Sequence, residues 1–351
     1  MMAILLFKLF LLLQHQSLIR GGNIYIMKVG LFGTGAYGMA LASILDENNV
    51  DITMWTKFED EKENLVKTRK NEKLIKNFVL SEKIKFTTSV LECAKDKDLL
   101  VIAIPAAFIN DLCLELKECI TPNQHICIAS KGIEQHTGLF VHEIIKKHIN
   151  TDYISVISGP SFAKDVVSKK PIGLSLATKS EETKEVVKSA FRNSYVKLRH
   201  TDDVVGVEIC GAIKNVIALA AGMLDGLGGN NSTSAMLITE AIHDMEEILA
   251  AFGATKRTVL SFAGFGDLLL TCTSTDSRNY TYGKLVGSKT SNDILEEYIR
   301  STTVEGYYTL VSIYQLLKDK KVKIPIINLI YNIINKNYDP EELLTFLVEK
   351  V

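Results

Sequence analysis

A lysine and an asparagine, Lys214-Asn215, interrupt an otherwise apolar helical run from Gly211 to Leu219. A buried charge without a partner is costly, so Lys214 must either face something polar or snorkel to solvent. A lysine in a partly desolvated cleft has its pKa lowered toward a range useful for acid–base work. Three other segments hold polar groups that a core does not need. Gly264-Phe265-Gly266-Asp267 leads to Thr271-Cys272 and then to Ser277-Arg278-Asn279, which reads as a loop rich in hydrogen-bonding groups. The planar fork of Arg278 suits a phosphate, and Asp267 could pair with a lysine and hold it charged. A surface loop with an incidental arginine is the competing reading. In Ser130-Lys131-Gly132-Ile133-Glu134 a lysine follows a buried strand, on the side of a parallel sheet where ligands bind. In Ser158-Gly159-Pro160-Ser161-Phe162-Ala163, Gly159 permits close backbone approach. Ser161 is a natural helix N-cap, and capping alone would account for it.

These groups need elements to position them, and the first is a glycine loop. Residues 28–38 read Lys-Val-Gly-Leu-Phe-Gly33-Thr34-Gly35-Ala36-Tyr37-Gly38, a short strand followed by a helix-forming run. Gly33 allows the tight turn, Gly35 lets a dinucleotide pyrophosphate approach the backbone, and Gly38 lets helix and strand pack closely. The helix N-terminus then offers unpaired N–H groups to the anion. The next strand, Asp51–Trp55, ends at Thr56-Lys57, where the adenosine ribose would lie. Position 56 carries no carboxylate, and Lys57 supplies a cation. This favours NADPH over NADH, with a solvated surface lysine as the alternative.

Strand and helix patterns alternate in the first part of the chain, which argues for a parallel sheet. Strands are expected at Lys28–Phe32, Asp51–Trp55, Asp98–Ile104, His125–Ala129, Tyr153–Ile157, Ile172–Ala177 and Tyr195–Arg199. Helices are expected at Ala36–Leu45 and Glu181–Arg192, with Glu59 and Asp60 opening another. After Thr201 the helical period dominates. Val204–Leu224 reads as a long central helix whose internal Gly206, Gly211 and Gly222 mark close packing. Ala235–Phe252 and segments near Val304–Lys318, Ile326–Ile334 and Pro340–Glu349 follow. The expected organisation is a Rossmann-type α/β domain over residues 27–200 and an all-α domain over 201–351, with the site in the cleft between them.

The 351 residues carry a net charge of −1, with 23% charged and 47% apolar side chains. Bulk electrostatics therefore point to neither a nucleic-acid nor a membrane partner. The six cysteines form no CxxC pair and no metal-like spacing with histidine. They read as buried thiols of a reducing, cytoplasmic protein, and no metal site is expected. Residues 1–13 are apolar apart from Lys8 and resemble a signal-peptide core. Because Met27 immediately precedes the first strand, residues 1–26 are read as the product of an early start, with an export or anchor segment as the rival.

Taken together, the segments resemble the NAD(P)-dependent glycerol-3-phosphate dehydrogenases. The resemblance runs through GTGAYGMALA (33–42), SKGIE (130–134), SGPSFAKDV (158–166), VEICGAIKNVIALAAGM (207–223), GFGDLLLTCT (264–273), SRN (277–279) and VEGY (304–307). It implies a fold with a helical second domain like that of 6-phosphogluconate dehydrogenase, a homodimer, and reversible reduction of dihydroxyacetone phosphate to sn-glycerol 3-phosphate for phospholipid synthesis. Lys214 then matches the catalytic lysine, with Lys131 and Asp267 beside it. Gly159, Ser161, Asn215, Thr271, Ser277, Arg278 and Asn279 match substrate contacts. Ala36, Tyr37, Lys131, Ala163, Arg278, Thr303 and Glu305 match cofactor contacts, besides Gly33, Thr34, Gly35, Gly38, Thr56 and Lys57.

One segment departs from the pattern. Residues 229–240 place Ser232 or Asn231 at the family's asparagine, Ser234 at a basic residue and Glu240 at an arginine. The charge reversal implies a changed salt bridge or interface. Two rivals stay open: a β-hydroxyacid dehydrogenase or 2-dehydropantoate reductase of the same architecture, and a cofactor-binding sensor without turnover.

Overall fold

Strand β1 (Lys28–Phe32) is apolar after its first residue and is buried on both faces. The computed structural model describes residues 26–135, 137–318 and 320–349, with the backbone of 19–20 and 23–24. Those two short segments pair antiparallel; the expectation for residues 1–26 otherwise lies outside the described residues.

The sheet continues with β2 (Asp51–Trp55), β3 (Lys85–Thr87), β4 (Leu99–Ile102), β5 (His125–Ile128), β6 (Ile154–Ser158), β7 (Ile172–Ala177) and β8 (Val196–Thr201). Its order is β8-β7-β6-β5-β4-β1-β2-β3. The middle strands are buried along their whole length, as apolar runs in a covered parallel sheet must be. At the edge, β8 alternates in exposure. The expectation of a parallel sheet needs one correction: β7 pairs antiparallel with β6, so β7 and β8 run against the other strands. Alternation of elements does not encode direction. The chain between β6 and β7 makes only the short helix Ala163–Val167, which packs on α1 (Ala36–Glu47). It does not form a full crossover of the kind a parallel pair requires.

Among the described residues, every element after Thr201 is helical. The axis of this part is α2 (Val204–Gly226), 23 residues buried almost throughout. By length and composition α2 could cross a membrane, but 89% of its most apolar window is buried inside the protein. Around it lie α3 (Asn231–Ala251), α4 (Asp267–Cys272), α5 (Arg278–Gly287), α6 (Glu305–Leu317) and α7 (Pro325–Lys336). The closest neighbour is α5. A Cβ on Gly222 would lie 2.0 Å from the Tyr280 carbonyl oxygen, and one on Gly283 would lie 2.0 Å from that of Leu219. Glycine on both helices is what permits this approach.

The segment expected as a loop around 264–279 is mostly helical. Phe262–Gly266 forms one π-type turn, broken at Gly264 (φ −85°, ψ −108°), and runs directly into α4. Single π turns recur where a helix must be re-aimed. Here the turn is docked on the sheet: Ser175 of β7 accepts from the Ala263 N–H at 3.1 Å, and the Arg199 guanidinium sits 4.9 Å from the Phe262 ring centre. Asp267 is thereby delivered to the carboxyl ends of the central strands.

Candidate active site

Burial forces the polar residues of α2 and α4 to satisfy each other. Lys214 is 4% exposed and Asp267 1% exposed. Lys214 Nζ donates to Asp267 Oδ1 at 2.8 Å and to Thr271 Oγ1 at 3.0 Å. Thr271 in turn donates to the Asp267 carbonyl at 2.6 Å. From the opposite side, Lys131 Nζ donates to Asp267 Oδ2 at 2.8 Å. Lys131 follows β5, and its neighbour Ser130 holds the chain there by donating to the Ile104 carbonyl at 2.6 Å. Residues 131, 214 and 267, far apart in sequence, thus meet around one carboxylate.

Two ammonium groups and one carboxylate leave the cluster with excess positive charge. Burial would raise the Asp267 pKa, but Lys131 and Lys214 beside it reverse this and hold it below the ordinary value. Burial dominates at Lys214, helped by the Lys131 charge and opposed by Asp267, and lowers its pKa to about 8. At Lys131 burial acts the same way, yet Asp267, Tyr37 and Glu305 together outweigh it and the pKa is raised. The Lys131 side chain keeps 17% of its surface exposed against 6% for Lys214, so the more deeply buried amine is the readier proton donor.

A second chain of bonds runs beside the first. The Gly306 N–H donates to Asn279 Oδ1 at 2.8 Å, Asn279 Nδ2 to Asn215 Oδ1 at 3.0 Å, and Asn215 Nδ2 to Glu305 Oε2 at 3.0 Å. It ties α5, α2 and α6 together next to Lys214. A third link reaches the glycine loop: the Lys131 ammonium lies 5.6 Å from the Tyr37 ring centre, and the Tyr37 and Ser161 hydroxyls share a hydrogen bond at 3.1 Å. Burial raises the Tyr37 pKa against the opposing pull of Lys131.

The glycine loop has the expected geometry. Gly33 has φ +123°, and a Cβ on Gly38 would lie 2.2 Å from the Gly33 carbonyl oxygen. A Cβ on Gly35 would meet nothing within 4 Å, so that face of the loop, with the N-terminus of α1, is open to a pyrophosphate. Thr34 is buried, while Ala36 is partly exposed. Gly33 N–H donates to the Trp55 carbonyl at 2.9 Å, which places Thr56-Lys57 beside the loop. Thr56 is buried and donates to Glu61, whereas Lys57 is exposed. These residues fit a dinucleotide. A cleft of about 380 Å³ lies between the two parts, lined among others by Phe108, Lys131, Thr303, Glu305 and Tyr308.

Several expected residues are placed differently from their sequence reading. Ser161 is not an N-cap: Phe162 holds that position, and Ser161 Oγ donates to the Gly159 carbonyl at 2.9 Å. The close approach at Gly159 is made by the Gly173 carbonyl oxygen, 2.3 Å from where a Cβ would stand. Ser277 caps α5 by accepting from the Tyr280 N–H at 3.2 Å. Arg278 is exposed on the first turn of that helix, and Ala163 opens its own short helix beside α1. Glu240 is exposed on α3, where Asn230 caps the helix by accepting from the Thr233 N–H at 3.0 Å. Phe108, which lines the cleft, was not singled out in the sequence.

A nucleotide-type α/β sheet whose carboxyl edge brings one lysine to a buried lysine–aspartate pair of a helical partner fits a two-domain nicotinamide-dependent dehydrogenase. The comparisons name the group. The sequence pattern of the NAD-dependent glycerol-3-phosphate dehydrogenase N-terminus matches residues 28–184, and that of the C-terminus matches residues 203–345. The chain belongs to this family. It is 36% identical over 311 residues to a glycerol-3-phosphate dehydrogenase, NAD(P)+, of Staphylococcus haemolyticus, covering 88% of this chain and 93% of that one. Over 329 residues it is 36% identical to the protein of the same name from Leptospira biflexa, covering 92% and 98%. Among solved structures, glycerol-3-phosphate dehydrogenase (gpsA) from Coxiella burnetii superposes with TM-score 0.87 at 25% identity, over 93% of this chain and 99% of that one.

Proposed function

We propose that this chain reduces dihydroxyacetone phosphate reversibly to sn-glycerol 3-phosphate with NADPH or NADH, supplying glycerophospholipid synthesis. The observation that carries this reading is the Lys214–Asp267–Lys131 cluster, built from both parts of the chain at the carboxyl edge of the sheet. When bound, the nicotinamide supplies the hydride that reaches the C2 carbonyl carbon. Lys214 stabilises the negative charge growing on the carbonyl oxygen and delivers its proton there. Asp267 orients both ammonium groups, and Thr271 fixes the Lys214 rotamer. Lys131 contacts substrate and cofactor together.

Arg278 binds the substrate phosphate from the first turn of α5, with Gly159, Ser161, Asn215, Ser277 and Asn279 completing the pocket. The cofactor is held by the loop Gly33-Thr34-Gly35-Ala36-Tyr37-Gly38, by Ala163, Arg278, Thr303 and Glu305, and at the ribose by Thr56 and Lys57. The exposed Lys57 ammonium supports NADPH as the preferred form. The domain boundary falls at residues 200–201, at the end of the last strand and just ahead of α2.

The protein is read as a cytoplasmic homodimer that inserts in no membrane. Its six cysteines are free, and Leu260, Phe265 and Leu269 are apolar side chains exposed on adjoining segments. The test is loss of nicotinamide absorbance on adding dihydroxyacetone phosphate to the purified chain, with NADPH and NADH in parallel. Substrate-dependent oxidation is expected with at least one. Folded protein that binds cofactor but turns over neither would overturn the reading in favour of a sensor. Turnover only of unphosphorylated keto acids would favour the hydroxyacid dehydrogenases.

A further inference from the structure

A second buried ionisable pair on α2 lies outside the lysine–aspartate cluster. Glu208 is 6% exposed and accepts from the His142 backbone N–H at 3.0 Å and from His142 Nδ1. His142 is the second residue of the helix Val141–His148, so Glu208 satisfies donors at that helix's N-terminus from another element. That helix is where the segment leaving Lys131 ends. The segment folds back through an antiparallel bridge between Ile133 and Phe140, and the Phe140 ring packs edge-on against Phe252, 5.4 Å between centres. At its start the segment is held by Ser130. Glu208 also lies with Ser130, Lys131 and Gly132 along one narrow crevice against α2.

We propose that Glu208 and His142 are positioning residues, which clamp the Lys131 segment onto α2 so that Lys131 meets Asp267 in register with Lys214. The proposal rests on the role given above to Lys131. Neither residue touches the reacting atoms; they act by fixing where the ammonium stands. The groups facing His142 are Glu208 from α2 and, on its own helix, Glu143 and Lys146. Burial disfavours the imidazolium, but the bond and charge of Glu208 outweigh it and raise the His142 pKa. The clamp therefore weakens as His142 loses its proton, above the ordinary histidine value of about 6.5.

The experiment compares Glu208→Ala, Glu208→Gln, His142→Asn and Lys131→Met in the full chain. It measures KM and kcat for dihydroxyacetone phosphate across pH, and NAD(P)H affinity by fluorescence. Glu208→Ala should raise KM about tenfold or more, since small misplacements of a positioned group are costly, with cofactor affinity unchanged. Glu208→Gln should recover part of the loss by accepting from the His142 N–H. In His142→Asn the near-neutral step of kcat/KM should vanish, while the step belonging to Lys214 remains. A merely structural role would lower kcat with the active fraction and leave KM and the pH step alone.

If Lys131→Met is crippled while the Glu208 and His142 variants keep native KM and both pH steps, the clamp is wrong and the role of Lys131 stands. If Lys131→Met is itself native, that role falls and the clamp with it. Should Glu208→Ala fail to fold, Glu208→Gln and His142→Asn carry the same test.

Discussion

One carboxylate is shared by two ammonium groups, and the proposed chemistry rests on it. Replacing Lys214 with alanine should lower kcat by about two to four orders of magnitude, the usual worth of a positioned acid, with cofactor affinity nearly intact. Steady-state kinetics paired with a binding titration checks this. The two directions should also have opposed pH profiles. Ketone reduction needs protonated Lys214 and should fall as pH rises through about 8, whereas alcohol oxidation needs the neutral amine and should rise toward the same value. Arg278→Ala should raise KM for the phosphorylated substrate at least tenfold, because a charge-assisted fork is lost from an exposed side chain whose removal costs little stability. An unchanged KM would remove Arg278 from the phosphate site. Lys214 was legible in the sequence because a lysine inside an apolar helical run must find a partner, and the structure gives it Asp267. Ser161 and Ser277 were less so: a serine hydroxyl serves caps, turns and ligands equally, and only geometry tells which bond it makes.

At the scale of elements, the packing of α2 on α5 sets the distance between the lysine cluster and Arg278. Glycine replaces bulk at the crossing, so Gly283→Ala would press a methyl group into the Leu219 backbone. We expect a loss of about 1–3 kcal/mol, as for other overpacked interiors, and a lowered Tm. Activity should fall further than stability, because α5 carries Arg278 and Asn279. Thermal melts and KM on the same sample separate the two effects. This crossing also explains why no helix was expected over α5, whose first two residues were read as the end of a loop. Periodicity is legible when large apolar side chains mark one face, and here Gly283 and Gly287 do the packing. The opposite holds for α2, whose long apolar run with internal glycines announced a central helix. The reversal of β7 was illegible for a different reason: an apolar strand buried on both faces looks the same in either direction.

For the molecule as a whole, the site exists only where both parts meet. Lys131 and Tyr37 come from the sheet side, Lys214 and Asp267 from the helical side, and an ion pair from Lys164 to Asp276 crosses nearby. On the proposed reading, cofactor choice is decided at a remote corner, beside β2. Lys57→Ala should weaken NADPH binding about tenfold and leave NADH binding unchanged, as fluorescence titration with each would show. Equal losses for both would mean Lys57 does not read the 2′-phosphate. Light scattering should give twice the 39.0 kDa chain mass for a dimer.

The burial of α2 also has a consequence for how the chain is made. Its 23 residues leave the ribosome before any of α5, α6 or α7 has been joined. The finished sheet can shelter one flank; the other waits, greasy and bare, for helices not yet synthesised. Nascent chains halted once α2 has emerged but before α5 is made should therefore recruit chaperones, and finished, released chains should not.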